Sequence, residues 1–145
     1  MIRHATEQDL PRILEMGPRI TATTNPVAPY SASRVELMAR EFITNGIALV
    51  SEHRGAVDGL ICGIVVPLWS REGSVAAEMV IWVHPEARGR LIGRRLIAAF
   101  EKSARELGAC CVSLGDVWTE AGYSSGGLFD RLGYTVAERA FVKGV

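Results

Sequence analysis

Glycine and arginine residues are concentrated in one short segment, residues 88–95, which follows an apolar run ending at His84 and Pro85 and leads into a helical pattern. A helix that begins at such a turn leaves its first backbone N–H groups unpaired at the positive end of the helix dipole, an arrangement that binds phosphate. Gly89 and Gly93 would let a ligand approach the backbone closely. Positive charge is added by Arg88, Arg90, Arg94 and Arg95. The sequence therefore predicts a phosphate-binding turn.

Two common nucleotide-binding motifs do not fit this segment. The sequence contains no Gly-x-x-x-x-Gly-Lys-Ser/Thr, so a P-loop nucleotide hydrolase is disfavoured. The turn also lies late in the chain, without the early strand–helix–strand unit and the downstream acidic residue of a dinucleotide-binding fold. The turn is therefore expected to belong to another class of fold.

The elements that position the turn are predicted from hydrophobic periodicity and turn residues, and their order is βααβββαβαβ. The predicted strands cover residues 1–5, 47–52, 60–69, 75–83, 109–114 and 134–142. Helices are predicted on either side of the fifth strand, over residues 89–107 and 124–132. Three consecutive strands with tight turns imply antiparallel pairing, and the later strand–helix–strand step implies a parallel pair. The result is a mixed α/β sheet with helices on its faces.

Residues 80–96 resemble motif A of the GNAT superfamily of N-acetyltransferases, whose loop runs Gln/Arg-x-x-Gly-x-Gly/Ala. Arg88 matches the first position and Gly93 the last, while Leu91 stands where the middle glycine belongs. Residues 127–134 are similar to the family's common ending, Leu-Tyr-x-x-x-Gly-Phe/Tyr. The resemblance covers nearly the whole chain and implies one domain, residues 1–145. Its fold would be α/β (α+β), with a mixed, mostly antiparallel six- or seven-stranded sheet, helices on both faces and a splay between strands 4 and 5.

The resemblance also implies that acetyl-coenzyme A is the acyl donor, that it binds in this splay and that no metal takes part. Its pantetheine arm would pair with the backbone of Ile81, Trp82 and Val83. Its pyrophosphate would bind the turn formed by Arg88, Gly89, Arg90, Leu91, Ile92, Gly93 and Arg94. The acceptor, a small-molecule or peptide amine, would enter between residues 21–33 and the turn at 69–74. Those segments are neither strongly acidic nor strongly basic, so the identity of the acceptor stays open.

Direct transfer to a primary amine needs a base for the amine and a proton for the departing thiolate. Glu78, on the strand that leads into the turn, resembles the family's glutamate that removes the amine's proton. It could equally be a surface carboxylate, because alternation does not decide which face it takes. Phe129 stands where many members of the family have a tyrosine acid. Tyr123 is therefore a candidate acid, with Ser124, Ser125 and water as alternatives.

Leu91 and Phe129 depart from the family pattern, and they support a second hypothesis of a different class. The chain would then be a non-catalytic acyl-CoA-binding sensor or regulatory module. It would bind the thioester at the same turn and release no thiol on any acceptor. An assay of thiol release over a broad panel of amines separates the two hypotheses.

The charge balance sets further bounds on function. Sixteen basic and sixteen acidic residues give no net charge, so nothing favours nucleic-acid or membrane binding. No run approaches the ~20 apolar residues of a transmembrane helix, and the first residues contain no apolar signal segment. A cytoplasmic location is therefore expected, and a homodimer is left open.

The three cysteines are expected to be buried, reduced thiols. Cys62, Cys110 and Cys111 lie in apolar runs, and none of them belongs to a CxxC pair.

Overall fold

The computed structural model describes residues 1–23, 28–116 and 125–145, and these residues form five strands and four α-helices. The strands are β1 (Ile2–His4), β2 (Ile47–His53), β3 (Ala56–Pro67), β4 (Ser74–Val83) and β5 (Cys111–Ser113). The helices are α1 (Leu10–Thr21), α2 (Ala32–Asn45), α3 (Ile92–Glu106) and α4 (Gly126–Arg131). A single 3-10 turn at Glu7–Asp9 precedes α1, and another at Pro85–Ala87 precedes the loop before α3.

The strands form one mixed sheet in the order β1-β2-β3-β4-β5. The first four strands pair antiparallel with their neighbours, and β4 pairs parallel with β5. Arg54 and Gly55, both with positive φ, make the tight turn between β2 and β3. The antiparallel run and the parallel step predicted from the sequence are confirmed.

Helices cover both faces of the sheet, and each face has its own apolar core. On one face α1 and α2 pack over a cluster that includes Met16, Phe42, Val50, Leu60 and Trp82. On the other face α3 and α4 pack over a cluster that includes Ile61, Leu96, Phe100 and Phe129. Full burial of such side chains stabilises the fold by roughly 1.5–3 kcal/mol each. The central strands are therefore held between two packed layers.

A bulge interrupts the pairing of β3 and β4 next to Glu78. Cys62 pairs with Val80 and Gly63 pairs with Glu78, so Met79 is an extra residue on β4. The side chain of Met79 is exposed. Bulges bend a strand and redirect the side chains beside them, and they are common next to functional sites.

Gly63 is required at this bulge for a steric reason. A Cβ built on Gly63 would lie 2.2 Å from the carbonyl O of Ala77 on β4 and 2.8 Å from Cζ of Phe100 on α3. Both atoms belong to the packed interior, so neither can move away at little cost. The close approach of β3, β4 and α3 at this point depends on the missing side chain.

The sixth strand predicted over residues 134–142 is wrong. The described part of the sheet has five strands, not six or seven, and residues 135–145 are exposed and without regular structure. β5 is only three residues long and offers a short edge to any further strand. Ordering a residue costs about 1–2 kcal/mol in backbone entropy, and few ladder hydrogen bonds are available here to offset it. The alternation of apolar residues is therefore not sufficient to form a strand.

Candidate active site

The loop before α3 has the backbone that a glycine-rich turn favours. Gly89 has φ +84° and Leu91 has φ +59°, both in the left-handed region. α3 therefore begins at Ile92 and not at residue 89 as predicted. The left-handed conformation costs a residue other than glycine roughly 1–2 kcal/mol. Leu91 thus adopts a backbone conformation that favours glycine, and it does so at the position where the family pattern has glycine.

The N-terminus of α3 presents backbone donors toward this loop. By helix geometry the N–H groups of Ile92, Gly93 and Arg94 have no intrahelical acceptor. The first helical bond is the one from Arg95, which donates to the carbonyl O of Leu91 at 3.0 Å. The positive end of the helix dipole lies at the same place, so the site suits an anionic group.

Among the residues that the structure describes, little lies over the turn. A Cβ built on Gly89 would meet none of their atoms within 4 Å, and one built on Gly93 would meet only Cδ2 of Leu128, at 3.8 Å. The side chains of Arg90 and Arg94 are exposed. The turn therefore has the donors, the charge and the free space that a pyrophosphate group needs.

Arg88 connects the turn to the end of β4. Its Nε donates to the carbonyl O of Val83 at 3.1 Å, and its backbone N–H donates to the carbonyl O of Pro85 at 3.3 Å. Both donors are thus used within the chain. The geometry favours a role for Arg88 in ordering the turn.

β4 has an open edge between the turn and β5. Its parallel pairing with β5 is limited to Val75, Ala76 and Ala77. Beyond them β4 continues to Val83, and within the described residues its pairing there is with β3. Ile81 and Val83 contribute to the core under α3, and Trp82 to the core under α1. An extended ligand arm can add to such an edge as a strand does.

Glu78 is the first residue of β4 beyond its pairing with β5. Its Oε2 accepts a hydrogen bond from the N–H of Gly115 at 2.9 Å. Burial raises the pKa of the Glu78 carboxyl, and the hydrogen bond from Gly115 opposes that rise in part. A carboxylate with a raised pKa is a stronger base near neutral pH than an exposed one. Glu78 is thus a half-buried carboxylate where β4 and β5 part.

Gly115 and Asp116 are site residues that the sequence prediction missed. While Gly115 contacts Glu78, Asp116 Oδ1 accepts a hydrogen bond from the backbone N–H of Ser125 at 2.7 Å. The segment after β5 is therefore joined both to β4 and to the start of α4. The available signal was a Gly-Asp pair directly after a predicted strand, which is typical of a turn that uses its polar groups locally.

Phe129 is buried in the core under α3 and α4, and its ring centroid lies 6.1 Å from that of Tyr134. A buried hydrocarbon ring offers no proton. Tyr123 and Ser124, two of the proposed replacements, lie outside the described residues. The backbone of Ser125 bonds to Asp116.

The three cysteines differ in their environments. Cys62 is buried as predicted, and burial raises the pKa of its thiol to about 12. The prediction of burial is wrong for Cys110 and Cys111, which are exposed. They lie at the start of β5, an edge strand, where an apolar run need not face a core. Cys110 Sγ donates to the carbonyl O of Ser74 at 3.2 Å.

The sequence profile of the acetyltransferase (GNAT) family matches residues 18–134. The chain belongs to this family. The match spans the glycine- and arginine-rich turn before α3, Glu78 and the ending that contains Phe129. This GNAT acetyltransferase has the family's mixed α/β fold, here with five strands and four α-helices in the described residues. No match was found among curated protein sequences.

Solved structures with the same fold come from several sources. An acetyltransferase of Trypanosoma brucei shares 23% identity over 100% of this chain and 99% of its own, with a TM-score of 0.76. A transcriptional regulator of Bacillus halodurans C-125 shares 20% identity over 100% and 99%, with a TM-score of 0.78. The aminoglycoside N-acetyltransferase AAC(6')-Iy in complex with CoA shares 15% identity over 99% and 92%, with a TM-score of 0.79. At these identities the likeness shows the fold alone.

Residues 1–23, 28–116 and 125–145 lack two further features. No group of three or more His, Cys, Asp or Glu side chains in these ranges could hold a metal ion. Of the helices described there, none combines the length and the apolar character that a bilayer crossing requires.

Proposed function

We propose that the chain transfers the acetyl group of acetyl-coenzyme A to a primary amine by direct attack. One observation carries the proposal: a half-buried carboxylate and an anion-binding turn lie at the two ends of one open strand edge. Glu78 lies where β4 leaves β5, and the turn from Arg88 to Arg94 follows the end of β4. This arrangement supports a donor held along the strand edge with a base beside it.

The donor would be held by the backbone. The unpaired N–H groups at the start of α3 would bind its pyrophosphate, assisted by the charges of Arg90 and Arg94. The edge of β4 over Ile81, Trp82 and Val83 would pair with its pantetheine arm as an added strand. Such backbone contacts tolerate Leu91, because they depend on N–H groups and not on the side chain at that position.

In the proposed reaction Glu78 accepts a proton from the amine, directly or through water. The amine nitrogen forms a bond to the acetyl carbonyl carbon, the carbon–sulfur bond breaks, and the thiolate leaves with the electron pair. A proton from a hydroxyl or from water converts the thiolate to the free thiol. One amine and one thioester thus yield one amide and one thiol. Phe129 cannot supply that last proton, so Tyr123, Ser124, Ser125 or water must.

The acceptor is proposed to be a small molecule or a peptide with a primary amine. It would enter beside the turn that joins β3 to β4, which is closed by a hydrogen bond from Leu68 N–H to Gly73 O at 3.0 Å. Trp69 at this turn is almost fully exposed, and it offers an aromatic face to an acceptor. One protein of similar structure is an aminoglycoside N-acetyltransferase, so aminoglycosides belong in the panel of acceptors.

The deciding experiment measures thiol release from acetyl-CoA by the purified chain in the presence of amines. The panel includes aminoglycosides, polyamines and peptides with free N-termini, and the Glu78→Gln variant serves as the control. Release that depends on one amine and falls in the variant supports the proposal. Tight acetyl-CoA binding without release on any amine would instead support the non-catalytic acyl-CoA sensor, for which Leu91 and Phe129 are the observations.

A further inference from the structure

Two cysteines adjacent in the sequence, Cys110 and Cys111, lie at the start of β5, and both are exposed. Cys111 is the first residue of β5 and pairs with Val75 of β4. The backbone N–H of Cys110 donates to the carbonyl O of Ser74 at 2.9 Å. Both cysteines therefore lie beside the first residues of β4, at the opposite end of that strand from the turn that follows Val83. The proposed binding of acetyl-CoA makes no use of either thiol.

The turn between β3 and β4 holds the sulfur of Cys110 in place. Cys110 Sγ donates to the carbonyl O of Ser74 at 3.2 Å. A Cβ built on Gly73, which has φ +99°, would lie 2.8 Å from the same sulfur, so the missing side chain leaves the room that the thiol occupies. Desolvation raises the pKa of the Cys111 thiol, and interaction with the Cys110 thiol raises it further. The two sulfurs are therefore close neighbours, and one of them is fixed by the turn.

A cavity of about 330 Å³ lies beside the two thiols, and both cysteines line it. Its charged lining consists of Glu101 and Arg105, both from α3. Glu101 Oε1 accepts a hydrogen bond from the hydroxyl of Tyr134 at 2.7 Å, so part of its negative charge is used within the wall of the cavity. The guanidinium of Arg105 adds positive charge to the same wall. The thiols thus face a space that can accept an ion, with a cation nearby to favour an anionic complex.

Geometry disfavours a disulfide between Cys110 and Cys111. The Cα atoms of consecutive residues are about 3.8 Å apart across a trans peptide bond, whereas a relaxed disulfide needs about 4.4–6.8 Å between its Cα atoms. A disulfide formed below that range is strained and is reduced easily. The pair is therefore favoured as a dithiol, which is the state that binds a metal ion once its protons are lost.

The number of ligands selects the ion. Within residues 1–23, 28–116 and 125–145, no third His, Cys, Asp or Glu joins the two thiols in a metal-binding group. Structural zinc sites use four ligands, whereas soft thiolates select Cu(I), an ion that is stable with two sulfur ligands. We propose that Cys110 Sγ and Cys111 Sγ together bind one Cu(I) ion. Each thiol releases its proton to solvent and forms one copper–sulfur bond, and the copper keeps its oxidation state. The complex then carries one negative charge, which the positive charge of Arg105 favours.

The test titrates the purified, fully reduced chain with Cu(I) in the absence of oxygen, with bicinchoninate as the competing chelator. We expect one ion per chain that is retained against the chelator, and two fewer thiols that react with maleimide while the ion is bound. X-ray absorption should show two sulfur neighbours for the copper. An ion that the chelator removes completely, or one that sedimentation velocity shows to be shared between two chains, would overturn the proposal.

Single cysteine variants assign the ion to this pair. Cys110→Ser and Cys111→Ser nearly keep the size of the side chain and replace a soft ligand by a hard one. Each should lower the affinity for Cu(I) by more than about a hundredfold, because the loss of a group that only orients a metal ligand already costs about 10–100-fold. Cys62→Ala is the matched control, since it removes the buried thiol of the chain. It should bind Cu(I) as the wild type does, with thermal melts to check its fold. Unchanged affinity in either serine variant, or lost affinity in a folded Cys62→Ala, would contradict the assignment.

Discussion

At the scale of single residues, Glu78 is the side chain on which the proposed chemistry depends most. Glu78→Gln keeps the shape of the side chain, and its amide oxygen can still accept the bond from Gly115. We expect the rate of acetyl transfer to fall by about a hundredfold, because one general base is lost. Acetyl-CoA affinity should be unchanged. Steady-state kinetics and calorimetry check both, and a variant of full rate would show Glu78 to be a structural carboxylate.

The same residue predicts a pH dependence with a definite sign. Burial raises the pKa of Glu78 in the folded chain, so the rate of the wild type should decline as pH falls through that raised pKa. The effect of pH on the free energy of unfolding has the opposite sign to its effect on the rate. The folded chain binds a proton that the unfolded chain releases, so this contribution to stability is present at acid pH and is lost as pH rises. The unfolding free energy of wild type minus that of Glu78→Gln should therefore decrease from pH 4 to pH 7.

Leu91 offers a second test at this scale. Leu91→Gly should raise the unfolding free energy by about 0.5–1 kcal/mol, since relief of the left-handed conformation outweighs the added freedom of the unfolded chain. Leu37→Gly is the matched control, an exposed leucine in the middle of α2. It should lower the unfolding free energy by up to about 1 kcal/mol. Equal shifts in the two variants, measured by urea denaturation, would rule out backbone strain at Leu91.

At the scale of elements, the bulge in β4 links packing to the site. Gly63→Ala would press a methyl group against the carbonyl O of Ala77 and the ring of Phe100. We expect a loss of about 1–3 kcal/mol in unfolding free energy, together with slower acetyl transfer because Glu78 is displaced. Gly127→Ala is the control, since its new Cβ would meet only Nη1 of Arg131 at 3.8 Å. Thermal melts and acetyl-transfer rates of both variants test this prediction. A Gly63→Ala variant with unchanged stability and rate would mean that the bulge can relax.

The elements also show how far sequence reasoning reaches. β2, β3 and β4 were predictable because their apolar runs are bounded by turn residues such as Arg54-Gly55. α3 began later than predicted because periodicity does not register the positive φ of Leu91. The strand predicted over residues 134–142 failed because a strand needs a partner, and the local pattern carries no information about how short β5 is. The bulge and the Gly115 contact to Glu78 depend on register, which the sequence does not specify residue by residue.

At the scale of the whole molecule, two packed cores hold the open edge of β4 between them. The strand that carries Glu78 is fixed by β3 on one side and by helices above and below. Among the described residues, nothing pairs with its other side beyond Ala77, where the ligand would lie. The proposed base and the proposed anion-binding turn would therefore be held at a fixed separation by one packed framework. Such preorganisation lowers the entropy lost on binding.

This architecture predicts that acetyl-CoA stabilises the whole fold. At a hundredfold excess over the dissociation constant, a ligand that binds only the folded chain adds about 2.7 kcal/mol, which corresponds to a rise of roughly 5–10 °C in Tm for a chain of this size. Glu78→Gln should keep the full shift. Gly93→Val should lose it, because its side chain projects where the pyrophosphate would approach.

The fold itself should tolerate Gly93→Val, since the Cβ position at Gly93 is in ordinary contact with Leu128 at 3.8 Å and valine is no worse than glycine in a helix. The Tm of that variant without ligand should therefore match the wild type, which separates loss of binding from loss of folding. A normal ligand shift in Gly93→Val would place the pyrophosphate elsewhere. A lost shift in Glu78→Gln would mean that this carboxylate binds the donor and does not act on the amine.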